Sequence, residues 1–133
     1  MIDIENIVIN TVANAVWATY PDMDVSSDYD PTPESFPCVF IYELANTDYR
    51  PSFDDALTPH HVNVMYQVDV YALGKSDAKK IRSIVDAAMQ GMKFTRTYSQ
   101  PTLNVDRTIK RYTSRYTAVV GELTDNKYQM YRS

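Results

Sequence analysis

Cys38, His60 and His61 are the natural place to look for covalent or metal chemistry in this chain. A nucleophilic thiol needs a histidine or cation beside it and partial exposure. Cys38 instead opens an apolar run, Cys38 to Ala45, which predicts a buried small hydrophobe. The two histidines are adjacent, and neighbours in an extended chain point to opposite sides, so the pair chelates one ion poorly. The run Asp22-x-Asp24-x-Ser26-x-Asp28-x-Asp30 has the alternating oxygens of a calcium loop. Such a loop needs glycine at its sixth position and a bidentate glutamate at its twelfth, where this chain has Ser27 and Pro33. Gly74, Gly91 and Gly121 are too scattered to form a phosphate-cradling loop. Carboxylates are numerous, but no two are marked out for separated pKa values. The residues predict no catalytic set, no metal and no cofactor, hence a protein that binds rather than reacts.

Charge offers more. Arg107, Lys110, Arg111 and Arg115 form a basic set, and on a strand Arg107, Arg111 and Arg115 point the same way, with Thr113 and Thr117. Such a face suits an acidic neighbour, such as the Asp24–Asp30 segment of another copy, or sequence-independent contact with phosphates. Residues 1–60 hold eleven acids against one base, net −10, and residues 61–133 hold six acids against twelve bases, net +6. A solvated mixed surface and head-to-tail association of identical copies both fit that asymmetry. The candidate interface residues are therefore Asp24, Asp28, Asp30, Asp54 and Asp55 on the acidic side and Arg107, Lys110, Arg111 and Arg115 on the basic side. The overall charge of −4 argues against nucleic acid as the main partner. Eleven tyrosines add amphipathic area that interfaces and strands both favour.

These residues need elements to position them. Ile4, Ile7, Val8, Val12, Ala15 and Val16 predict a helix face, with Asp3 as cap and Pro21 as terminator. Asp22 to Asp30 alternates as an acidic edge strand. Cys38 to Ala45 reads as a strand, with Cys38, Phe40, Tyr42 and Leu44 on one face and Val39 and Ile41 on the other. Residues 46–61, with Asp54-Asp55, read as a long acidic loop of the kind that carries function. The clearest strand is Val62 to Ala72, whose even-numbered residues form an apolar face. Ser76 to Met92 is an amphipathic helix carrying Ala78, Ile81, Ile84, Val85, Ala88, Met89 and Met92, capped by Ser76. Phe94 to Tyr98 predicts a short strand, Gln100 to Asn104 a loop, and Thr108 to Val120 a long strand. Residues 124–133 fit either a short strand or a loose tail.

At 133 residues, 44% hydrophobic and 23% charged, the chain is expected to be one globular domain, residues 1–133. No apolar run approaches the roughly 20 residues of a membrane helix, and the acidic start lacks the basic beginning of a secretory signal. One cysteine allows no internal disulfide, in keeping with a reducing compartment. The expected fold is α+β: a two-layer sandwich of a mainly antiparallel sheet, about four to five strands, with two amphipathic helices on one face.

Gln67-Val68-Asp69-Val70-Tyr71, then a helix with Ala78, Ile81, Val85-Asp86 and Met89, then Asn104-Val105-Asp106 and Arg111-Tyr112 leading to Arg115-Tyr116-Thr117-Ala118-Val119-Val120, together resemble the tail terminator proteins of long-tailed bacteriophages, also called tail completion or head–tail joining proteins. The resemblance covers nearly the whole chain, except for the acidic loop 46–61. It implies a virion protein, made in the host cytoplasm, that assembles as a ring, typically of six copies, on the head-proximal end of the tail tube. Its partners would be itself, the tail tube protein and the head–tail connector or stopper, with genomic DNA passing through the hole. Acids lining that hole would repel phosphates. Two other readings remain: a different neck component, such as a head-completion or connector protein, and a small ligand-binding or enzymatic α+β domain using Cys38 or His60.

Overall fold

A computed structural model describes residues 2–28, 35–48, 61–104, 106–124 and 127–132. The order is α1 (Glu5–Trp17), β1 (Asp24–Ser26), β2 (Cys38–Asp48), β3 (His61–Ala72), α2 (Lys75–Gly91), β4 (Thr95–Thr102), β5 (Lys110–Thr124) and β6 (Lys127–Tyr131). The fold is α+β. The strands form one six-stranded sheet in the order β1-β2-β3-β5-β4, with β6 pairing β5 beyond the end of β4. β1 runs parallel to β2, and every other pairing is antiparallel.

Both helices lie against one face. Val62, Val64, Tyr66, Val68, Val70 and Ala72 are buried in a single cluster with Val8, Val12 and Val16 of α1 and Ala78, Ile81, Val85 and Met89 of α2. The period of two in β3 meets the 3.6 period of the helices, which is why the sequence pattern was readable there. A second, smaller cluster, Cys38, Phe40 and Tyr71, sits on the opposite face of β2 and β3.

Several local expectations change. Asp3 is not the N-cap of α1: that position is Ile4, and Asp3 contributes a carboxylate oxygen to the Glu5 amide at 3.0 Å. Ile7 turns outward, 39% exposed. Gly74, not Ser76, is the N-cap of α2. The acidic strand shortens to Asp24–Ser26, because the Ser26 hydroxyl accepts the Asp28 amide at 3.0 Å and so replaces the sheet ladder with a local turn. A bulge between Glu43 and Ala45 throws Leu44 off its expected face, and β2 runs on to Asp48, so residues 46–48 belong to a strand. β4 extends through Pro101 to Thr102, where a loop was expected. Proline is tolerated there because β4 is an edge strand that needs no donor on its outer side. Residues 127–131 of the C-terminal segment form a strand.

α2 ends in a tight reversal. The Phe94 amide donates to the Met89 carbonyl (3.1 Å) and the Lys93 amide to the Gln90 carbonyl (3.0 Å). Lys93 takes a left-handed φ of 73°, which turns Phe94 straight into the core.

Candidate functional site

Register places two of the candidate charges, Asp24 and Arg111, on a single row. Asp24 pairs with Cys38, Cys38 with Tyr71, Tyr71 with Arg111 and Arg111 with Thr102. That row crosses five strands, about 19 Å at the usual strand spacing. At one end is β1, whose flanking acids Asp22, Asp24 and Asp28 are all exposed. Residues 1–48 contain no Lys or Arg at all. Asp24 accepts the Ser35 hydroxyl at 2.5 Å. Asp30, Asp54, Asp55 and His60 lie outside the described residues.

At the other end is a basic cleft of about 670 Å³. Lys75 from the start of α2, Arg107 from the turn before β5, and Lys110 and Arg111 from the first residues of β5 line it, with no acid among the lining residues. Lys75 is a member that sequence spacing could not supply, since it reaches the cleft from α2. Arg107 does not share the alternation of β5; it sits in a turn before that strand begins at Lys110. The turn is built on Asp106, whose carboxylate accepts the Thr108 hydroxyl (2.7 Å) and the Thr108 amide (2.9 Å). Those two bonds hold the Asp106 carboxyl below its ordinary range. Lys110 Nζ donates to the Arg107 carbonyl at 3.0 Å. Leu103, 97% exposed, lies on the cleft, and Leu73, 63% exposed, lies next to Gly74 ahead of α2.

Arg111 and Arg115 are held differently, on the sheet face away from the helices. Asp69, fully buried, is the hub. Its carboxylate accepts the Thr113 hydroxyl (2.7 Å), the Tyr42 hydroxyl (3.0 Å) and the Gln67 amide (3.3 Å), and pairs with Arg111 at 3.3 Å. The Gln67 side-chain amide also donates to the Tyr42 hydroxyl. Gln67 Oε1 in turn accepts Arg115 Nε at 3.0 Å. Arg111 lies over the Tyr71 ring at 5.4 Å and Arg115 over the Tyr98 ring at 5.2 Å. Sequence reading assigned no role to Asp69; an acid in the middle of an apolar strand was the available signal. Asp86 is a second hub missed in the same way, accepting the Tyr116 hydroxyl (2.9 Å) and pairing with Arg96 (3.2 Å). Burial, followed by that bond to Asp86, pushes the Tyr116 phenol well above its usual value.

The fold keeps Cys38 and His61 apart. Cys38 is buried opposite Tyr71, and ten residue steps along β3 separate Tyr71 from His61, about 33 Å of strand. His61 instead crosses over Gly121, where an added Cβ would meet its ring at 2.6 Å, and it lies 5.9 Å from the Tyr131 ring. Among the described residues no three His, Cys, Asp or Glu side chains gather as a metal site, and no helix is long and apolar enough to cross a membrane.

A solved structure shares this architecture. It is a chain in a structure titled "Virion of native gene transfer agent (GTA) particle", matched with a TM-score of 0.61 over 86% of this chain and 92% of that one, at 16% identity. The likeness is one of fold. No family model matches the sequence, and no curated protein matches it.

Proposed function

We propose that this chain is a structural protein of a phage-like virion, a neck or tail subunit that assembles head to tail into a ring, caps the tail tube and joins it to the head connector. The observation that carries the reading is the likeness to a virion chain along almost the whole of both chains. The site agrees with it. An acidic edge and a basic edge at opposite ends of one sheet row form a heterologous pair of surfaces, the kind that generates rings when the rotation closes. Cys38 and His61 lie far apart on the sheet, so those two residues form no catalytic pair. Six copies, the tube protein and the connector as partners, and passage of genomic DNA follow from the resemblance to tail terminators.

The test is removal of the gene from the particle that encodes it, read by electron microscopy. The proposed role predicts tubes of uncontrolled length and heads lacking tails. Tubes of normal length that merely fail to attach would assign the chain to another neck component. Particles with normal, joined tails would overturn the proposal.

A further inference from the structure

We infer that the cleft of Lys75, Arg107 and Lys110 receives the acidic β1 edge, Asp22, Asp24 and Asp28, of a second copy of this chain. The inference rests on the ring reading and gives it residues. The two surfaces lie on the same sheet row at opposite ends, so one copy placed beside another in the plane of the sheet brings edge to cleft without turning either over. Their charges are complementary: four cations and no acid line the cleft, and no base occurs in residues 1–48. Lys75, Arg107 and Lys110 have no acid partner among the described residues, whereas Arg111 is bound to Asp69 and Arg115 to Gln67 within their own sheet. The first three therefore have charge to offer a neighbour, and the latter two serve their own fold. Exposed Leu103 supplies an apolar contact beside the cations, as interfaces require. DNA phosphates would match the cations but would leave the acidic edge without a partner, so a second copy is the better fit.

Sedimentation velocity over a concentration series at low salt tests this with two double variants at exposed positions. Arg107→Glu/Lys110→Glu makes both surfaces of a chain acidic, and Asp22→Lys/Asp28→Lys turns its edge basic. Each alone should weaken self-association by about tenfold or more, less so at high salt. An equimolar mixture should restore association, because each variant's edge then matches the other's cleft. Wild-type association left unchanged by both variants would overturn the inference and leave the ring standing. A wild-type chain that stays monomeric throughout, alone and on tail tubes, would overturn both. Failure of the mixture to restore association would also overturn it. If the Arg107→Glu/Lys110→Glu chain then loses binding to a fluorescent DNA duplex as well, the cleft is a phosphate contact.

Discussion

The two faces of β3 solve the same problem with different chemistry. Toward the helices, Val62, Val64, Tyr66, Val68, Val70 and Ala72 are buried among other apolar groups, and such contacts are non-directional. On the other face Gln67 and Asp69 are buried too, at 7% and 0% exposure, and beside the small apolar cluster around Tyr71 they are held by directional bonds. Asp69 ties three strands together through Tyr42 on β2 and Thr113 and Arg111 on β5. A slip of one residue in any of these pairings would turn the partners to the wrong face. The apolar face therefore specifies that helices pack on the sheet, and the polar face specifies the register of β2, β3 and β5. The register in turn puts the acidic edge and the basic cleft on one row, so the surface proposed for assembly depends on the network behind it.

Breaking the polar side should have the largest effect. Asp69→Ala leaves the Arg111 charge and the Thr113 and Tyr42 hydroxyls without their acceptor, at a cost of about 3–5 kcal/mol. Val68→Ala, its neighbour on the apolar face, should cost about 1–3 kcal/mol, the value of one small cavity. Urea denaturation of the two variants measures the difference. An Asp69→Ala chain as stable as Val68→Ala would mean the network does not hold the register.

The apolar side can be sharpened by a smaller change. Lys93 holds a left-handed conformation so that Phe94 can enter the core. A side chain there costs on the order of 1 kcal/mol relative to glycine, partly offset by the greater freedom of glycine when unfolded. Lys93→Gly should raise the melting temperature by a few degrees in a thermal scan. A lower melting temperature would show that the lysine side chain contributes contacts worth more than the strain.

Where the sequence was legible, one periodicity dominated. The alternation of Val62 to Ala72 and the stripe of α2 were readable because burial on one side leaves a regular mark. What escaped reading was set by local hydrogen bonds or by distant elements. Ser26 bonds Asp28 and cuts β1 short, and the bulge at Glu43/Ala45 moves Leu44. Pro101 looked like a loop residue because nothing in the local sequence says that β4 is an edge. The candidate cations appeared as one set in sequence, and only the fold divides them: Arg111 and Arg115 face the Asp69 network, while Arg107 and Lys110 join Lys75 in the cleft. Lys75 lies more than thirty residues from the others, so no spacing argument could gather it.

The smallest effect tests the place where the faces meet. Glu43 projects toward the helix side of β2, accepting Asn46 Nδ2 at 3.3 Å and the Tyr66 hydroxyl at 3.4 Å. Burial pushes its carboxyl above the ordinary 4.5; the bonds from Asn46 and Tyr66 pull it down, and Asp3 and Glu5 add to the rise. The folded chain thus keeps this proton at a pH where the unfolded chain has lost it. In the window just above pH 4.5 the native state binds more protons, so stability from this group falls as pH rises through that window. Glu43→Gln fixes the neutral form and keeps the same acceptor oxygen. The variant should melt above wild type at pH 7, by a small margin because the group is largely solvated, and the gap should narrow as pH approaches 4.5. A gap of constant size across that range would mean that ionisation is not what sets it, and the cause would then lie in packing against Tyr66.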